Sequence, residues 1–126
     1  MYMKKFLIFT ITLLLVACGD SDPRQKDKDK VTELLLKKDE WKTMGFTYRE
    51  TECLVDEISN NLNDDLWESY VEGMKLESAG FTYIEIQERL KLGEMEQLQG
   101  EAALYNALFS FKCISEERLI EADGNL

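Results

Sequence analysis

The 126-residue sequence contains no histidine, and its single proline lies at position 23. Without histidine, the chain cannot form the nucleophile–histidine pairs of serine and cysteine hydrolases. Its glycines stand singly and never cluster before a lysine, so the sequence has no phosphate-binding loop. Runs of β-branched residues are also missing beyond the N-terminal region. Together with the absence of proline after Pro23, this predicts an all-α fold.

The longest apolar run of the chain extends from Phe6 to Ala17 and follows Lys4 and Lys5. As a helix, this run would span about 18 Å, whereas the hydrocarbon core of a bilayer is roughly 30 Å thick. A transmembrane anchor is therefore the weaker alternative. A basic start followed by a short apolar segment predicts a secretory signal peptide over residues 1–17.

The segment Leu15-Val16-Ala17-Cys18 resembles the lipobox of bacterial lipoproteins in residue order, spacing and position. This resemblance implies cleavage before Cys18, a thioether-linked diacylglyceryl group on Cys18 and acylation of the new amine. Gly19 rather than aspartate follows the cysteine, which in such lipoproteins favours the outer membrane. We therefore expect a protein of the bacterial envelope that is anchored in the membrane by lipid and faces the periplasm. No family is identified from residues 31–126.

Residues 18–30 combine the lipidated cysteine with a hydrophilic, mostly charged stretch, GDSDPRQKDKDK. Such a composition offers nothing to bury in a core, so we predict a flexible tether. With coil statistics, twelve such residues would hold the following domain about 20 Å from the bilayer.

Residues 31–126 are predicted to form one acidic helical domain, with 21 acidic and 9 basic side chains and therefore a net charge of −12. A nucleic-acid backbone would be repelled by this charge, so we expect no nucleic-acid partner. A basic envelope or secreted protein is the partner that such a field attracts. The alternative is that the acidity only supports solubility.

Cys53 and Cys113 are the cysteines that remain once Cys18 is assigned to lipid. In an oxidising compartment, an even number of cysteines predicts a disulfide. In the chain-entropy treatment, closing a loop of this length stabilises the fold by about 4 kcal/mol. A metal site is disfavoured because two thiolates without histidine do not complete a tetrahedral zinc site. We expect neither a metal nor another cofactor.

Apolar periodicity and capping residues predict a small bundle of four to five helices. The expected helices cover residues 31–43, 48–59, 64–78, 83–92 and 94–121, and capping boxes at Thr47/Glu50 and Thr82/Glu85 begin the second and fourth. The aromatic residues beside these two starts (Phe46, Tyr48, Phe81 and Tyr83) are expected to be buried rather than to form a recognition patch.

The last predicted helix carries two apolar rows. One row comprises Met95, Leu98, Ala102, Tyr105 and Phe109, and the other comprises Leu104, Leu108 and Phe111. A helix that is apolar on two sides is typically buried on two sides, so we expect it to be the central element of the bundle.

No arrangement of residues in the sequence indicates catalysis, and we do not expect an enzyme, because close carboxylate pairs arise by chance in so acidic a domain. The function we favour is that of a non-catalytic domain that binds another protein. More specifically, the chain is expected to be an immunity or inhibitor protein. Two alternatives stay open. One is a carrier of an apolar ligand, held in a cavity lined by the last helix, and the other is a structural accessory of an envelope complex.

Replacing the expected lipid-attachment residue tests the anchor. The Cys18→Ser variant should lose labelling by radioactive palmitate and accumulate as a soluble or uncleaved precursor, because serine offers no thiol for the thioether. Cys53→Ser serves as the control and should keep the label. Undiminished labelling of Cys18→Ser would contradict the lipoprotein assignment.

Overall fold

A computed structural model describes residues 22–126, so the predicted signal peptide and Cys18 lie outside the described residues. Within this range the chain is all helical, which confirms the expected fold class, with seven helices instead of four to five. The helices are α1 (Gln25–Lys37), α2 (Asp39–Met44), α3 (Tyr48–Asn60), α4 (Asp64–Ser78), α5 (Tyr83–Leu90), α6 (Glu94–Phe109) and α7 (Glu116–Gly124).

The predicted disulfide between Cys53 and Cys113 is confirmed, with their Cα atoms 5.5 Å apart. Cys53 lies in α3, whereas Cys113 lies in the loop that follows α6. The bond therefore fixes the end of α6 against the middle of α3.

The hydrophobic core forms where α1, α3 and α4 pack together, and α6 lies against α3 and α4. Its apolar side chains that are almost inaccessible to solvent include Val31, Leu35, Trp41, Leu54, Val55, Ile58, Trp67 and Val71. Every buried apolar residue of the described chain lies between Val31 and Ala122. The core of the described residues therefore lies within the predicted domain over residues 31–126.

The two predicted capping boxes are confirmed, and both begin a helix at the expected residue. At α3, the backbone amide of Glu50 donates to Thr47 Oγ1 at 3.1 Å, and the amide of Thr47 donates to Glu50 Oε1 at 2.9 Å. The same reciprocal pair forms between Thr82 and Glu85 at α5. These bonds satisfy amide groups that the first helical turn leaves without intrahelical partners.

The prediction of a flexible tether up to residue 30 is wrong for residues 25–30, because α1 already begins at Gln25. Lys28 is buried, and its Nζ lies 2.6 Å from a carboxylate oxygen of both Asp22 and Asp56. Burial alone would lower the pKa of Lys28, but the hydrogen bonds to these two carboxylates keep it above its ordinary value. The high charge of this segment suggested a solvated tether, because the sequence alone does not show that these charged side chains have specific partners in the fold.

Arg24 fixes the start of α1 to the turn between α3 and α4. Its guanidinium donates to the backbone oxygen of Ser59 at 2.7 Å and to that of Leu62 at 3.2 Å. It also pairs with Asp64 at the beginning of α4. A cation at the carboxyl end of α3 satisfies carbonyl groups that the helix itself leaves open, and it opposes the negative end of the helix dipole.

Two predicted helices are each divided in the structure. The expected helix over residues 31–43 is interrupted at Lys38, which is extended (φ −70°, ψ 135°) and separates α1 from α2. The expected helix over residues 94–121 ends at Phe109, and Phe111 adopts a left-handed conformation with φ 56°. Ser115 then begins α7 by accepting a hydrogen bond from the amide of Arg118 at 3.2 Å. Ser115 followed by two glutamates is an N-terminal helix signal that the apolar rows obscured.

Arg118 connects α7 to the turn between α2 and α3. Its guanidinium donates to the backbone oxygen of Gly45 at 2.6 Å and to Glu50 Oε2 at 3.1 Å. Burial alone would raise the pKa of Glu50, but hydrogen bonds from Arg118 and from the Thr47 amide outweigh it, so this pKa lies below its ordinary value. The ionised form of Glu50 therefore stabilises the folded state.

The lowered pKa of Glu50 predicts a pH dependence of stability. A group whose pKa is lower in the folded state stabilises the fold above its unfolded pKa and loses this effect as pH falls through its folded pKa. Glu50→Gln should therefore reduce the free energy of unfolding by about 1–2 kcal/mol at pH 7, and the difference from wild type should shrink as pH falls from about 5 towards 3.

Urea denaturation across this pH range measures the effect. Glu52→Gln, at an exposed position on the same helix, is the matched control and should change stability by less than about 0.5 kcal/mol. A Glu50→Gln difference that stayed constant between pH 7 and pH 3 would contradict the assignment.

Candidate functional site

An exposed row of apolar side chains runs along the outer face of α6, and we call it the α6 stripe. It consists of Met95, Leu98, Ala102, Tyr105 and Phe109. The exposed fraction is 70% for Met95, 57% for Leu98 and 60% for both Tyr105 and Phe109. The prediction that both rows of this helix would be buried is therefore wrong.

α6 faces the core with its smallest side chains. Ala103 and Ala107 are 2% and 0% exposed, whereas Leu104 and Leu108 are only half-buried against the core. At 100° per residue, the mean direction of the α6 stripe lies about 140° away from that of the two alanines. Small residues let helices approach closely, and here the two alanines form the contact with the core. The large apolar side chains on the other side of α6 therefore face solvent.

The α6 stripe has the spacing of a helix-docking seam. Its members advance by three and four residues alternately, which corresponds to the a and d positions of a heptad repeat. Such a seam normally receives the apolar residues of a second helix. Glu94 and Glu101 lie along one edge of the stripe, and Gln99 and Asn106 lie along the other. Since α6 contains no lysine or arginine, one edge of this apolar face is acidic.

The aromatic residues beside the two capping boxes differ in their surroundings, so the expectation that all would be buried is wrong for two of them. Phe46 is buried against Trp41, with ring centroids 5.0 Å apart. Phe81 is half-buried under the guanidinium of Arg89, 4.2 Å from its ring centroid. Tyr48 and Tyr83 are 54% and 58% exposed.

The predicted site residues do not meet at one place. Cys18 lies outside the described residues, and the half-buried Cys53 and Cys113 form a disulfide between α3 and the loop after α6. Within residues 22–126, no three side chains of the kinds that bind metal ions come together. None of the helices in this range is both long and apolar enough to cross a membrane.

No protein-family description, no curated protein sequence and no solved structure matches this chain.

The packing of α6 predicts effects of different size for two alanines five residues apart on the same helix. Ala107→Leu inserts a large side chain where no space is left, and should reduce the free energy of unfolding by about 1–3 kcal/mol. Ala102→Leu, at an exposed position, should change it by less than about 0.5 kcal/mol. Urea denaturation of both variants measures the difference, and equal effects would contradict the orientation of α6.

Proposed function

We propose that the chain is a membrane-anchored bacterial envelope lipoprotein whose non-catalytic helical domain binds another protein through the α6 stripe. The exposed apolar seam on α6 is the observation that carries this proposal. Contiguous apolar surface on a small soluble domain marks an interaction site far more often than single exposed apolar residues do. Helix-in-groove and coiled-coil recognition both use apolar residues at this spacing.

The charges around the α6 stripe favour a basic partner. Glu94 and Glu101 along its edge would pair with lysine or arginine beside the apolar seam of an incoming helix. The net charge of −12 over residues 31–126 would accelerate association with a basic protein by long-range attraction. The same charge repels a second copy of this chain, so the favoured occupant is a cationic amphipathic helix of a different protein.

The start of α1 supports an interaction close to the membrane. Asp22 already takes part in the contacts that hold Lys28, so only four peptide units separate Cys18 from the folded domain. Fully extended, this stretch spans at most about 14 Å. A lipid on Cys18 would therefore keep the domain near the bilayer surface, where an immunity or inhibitor protein would intercept a basic toxin or lytic enzyme.

Replacing stripe residues tests the proposal. The double variant Leu98→Ser/Tyr105→Ser should no longer retain a basic protein from envelope extract, because it removes two central anchors of the seam. It should fold as well as wild type, since both side chains are more than half exposed. The matched control is Ile84→Ser/Ile120→Ser, which removes two apolar side chains, each 65% exposed, from α5 and α7.

The measurement is a pull-down with residues 22–126 at about 0.05 and 0.5 M salt, with captured proteins identified by mass spectrometry. Wild type and control should capture the same basic protein, and raising the salt should weaken the capture by screening charge. Capture that survives in the stripe variant, or a captured protein that is acidic, would contradict the proposal.

A further inference from the structure

A second apolar feature lies on another side of α6, in a groove between α4, α5 and α6. The groove has a volume of about 270 Å³, and its apolar surface comes from Leu66, Met74, Ile86, Leu90 and Leu104. This volume corresponds to about nine water molecules at roughly 30 Å³ each. The volume is slightly smaller than that of pockets that hold drug-sized ligands. The groove therefore fits one narrow apolar chain.

Gly100 lines this groove in the middle of α6, and packing does not explain its presence. A Cβ atom at Gly100 would meet no other atom within 4 Å. Glycine inside a helix costs roughly 1 kcal/mol relative to alanine, so this position weakens α6 without allowing any closer contact. The effect it does have is to keep a side chain out of the groove.

The walls of the groove are joined by polar contacts, and Tyr70 is among the residues that line it. Tyr83 Oη donates to Glu101 Oε1 at 3.2 Å, and Gln87 Nε2 donates to Gln97 Oε1, so both bonds connect α5 to α6. Burial, followed by the charge of Glu77, raises the pKa of Tyr70 to about 12. Its hydroxyl is therefore protonated at neutral pH.

The charged residues that line the groove are mostly acidic. Glu77, Glu96 and Glu101 contribute three carboxylates, whereas Lys38 is the one cation among the lining residues and already pairs with Glu77 at 2.9 Å. A negatively charged head group would be repelled at this rim, and a positively charged one would be attracted.

We propose that the groove binds the single alkyl chain of an amphiphile with a cationic head group, the chain lying on the leucine and isoleucine side chains and the head at the rim carboxylates. The apolar residues of this site differ from those of the α6 stripe, although Glu101 borders both. The site requires no protein partner and does not depend on the function proposed for the stripe.

Three amphiphiles that share a decyl chain and differ in head-group charge test the proposal: decyltrimethylammonium, decyl maltoside and decyl sulfate. Each is titrated below its micelle concentration into residues 22–126 in a calorimeter. Decyltrimethylammonium should bind one-to-one and at least roughly fivefold more tightly than the maltoside, because one favourable charge contact supplies about this factor. Decyl sulfate should bind most weakly.

Variants locate the binding. Gly100→Leu should weaken decyltrimethylammonium binding at least roughly tenfold by filling the groove, while its melting temperature stays equal to or above that of wild type. Asn106→Leu, at an exposed position on α6 outside the groove, is the matched control and should bind like wild type. Leu98→Ser/Tyr105→Ser should also bind like wild type.

Three results with a saturable ligand would overturn the proposal. They are equal affinity for the three head groups, unchanged binding in Gly100→Leu, and binding that disappears only when the α6 stripe is altered. The last result would place the amphiphile on the stripe. Binding that never saturates and is accompanied by loss of the helical circular-dichroism signal would likewise count against a built site.

Discussion

The contact between α6 and α3 determines what the rest of the molecule presents to its surroundings. Ala103 and Ala107 form the buried side of α6, and the Cys53–Cys113 disulfide fixes the chain just beyond its end. With its small residues committed to the core, α6 turns its large apolar side chains outward and leaves a groove between itself and α5. Both proposed binding surfaces are therefore consequences of one helix packing through alanines. The disulfide adds about 4 kcal/mol in the chain-entropy treatment, which is substantial for a domain of this size.

Three basic residues connect the helices of this acidic domain. Arg24 and Lys28 fix the beginning of α1 to α3 and α4, and Arg118 fixes α7 to the start of α3. These three cations bind carboxylates and carbonyl groups of the chain itself, and over residues 31–126 the 21 acidic side chains outnumber the 9 basic ones. The acidic edge of the α6 stripe and the acidic rim of the groove are two examples of this excess of acidic side chains. A basic protein and a cationic amphiphile are the ligands that such a surface favours.

Local sequence signals predicted a large part of the fold. The capping boxes at Thr47 and Thr82 and the cysteine pair were foreseen correctly, because each depends on residues close in sequence or on a choice with no alternative partner. Which side of α6 would be buried could not be read from hydrophobicity, since the helix is apolar on both sides. The buried side is set by how closely α6 packs against α3. Close packing favours the small alanines over the larger stripe residues. Likewise, the charges of residues 24–30 resembled a solvated linker until their partners on α3 and α4 were known.

The oxidation of methionines by hydrogen peroxide tests the orientation of α6 most directly. Met95 in the α6 stripe is 70% exposed, and Met74 in the core is 7% exposed. In dilute, disulfide-bonded protein comprising residues 22–126, mass spectrometry should find that Met95 is oxidised at least roughly tenfold faster than Met74. If Met95 were protected as strongly as Met74, the stripe would be buried and the account of α6 as an outward-facing docking helix would be wrong.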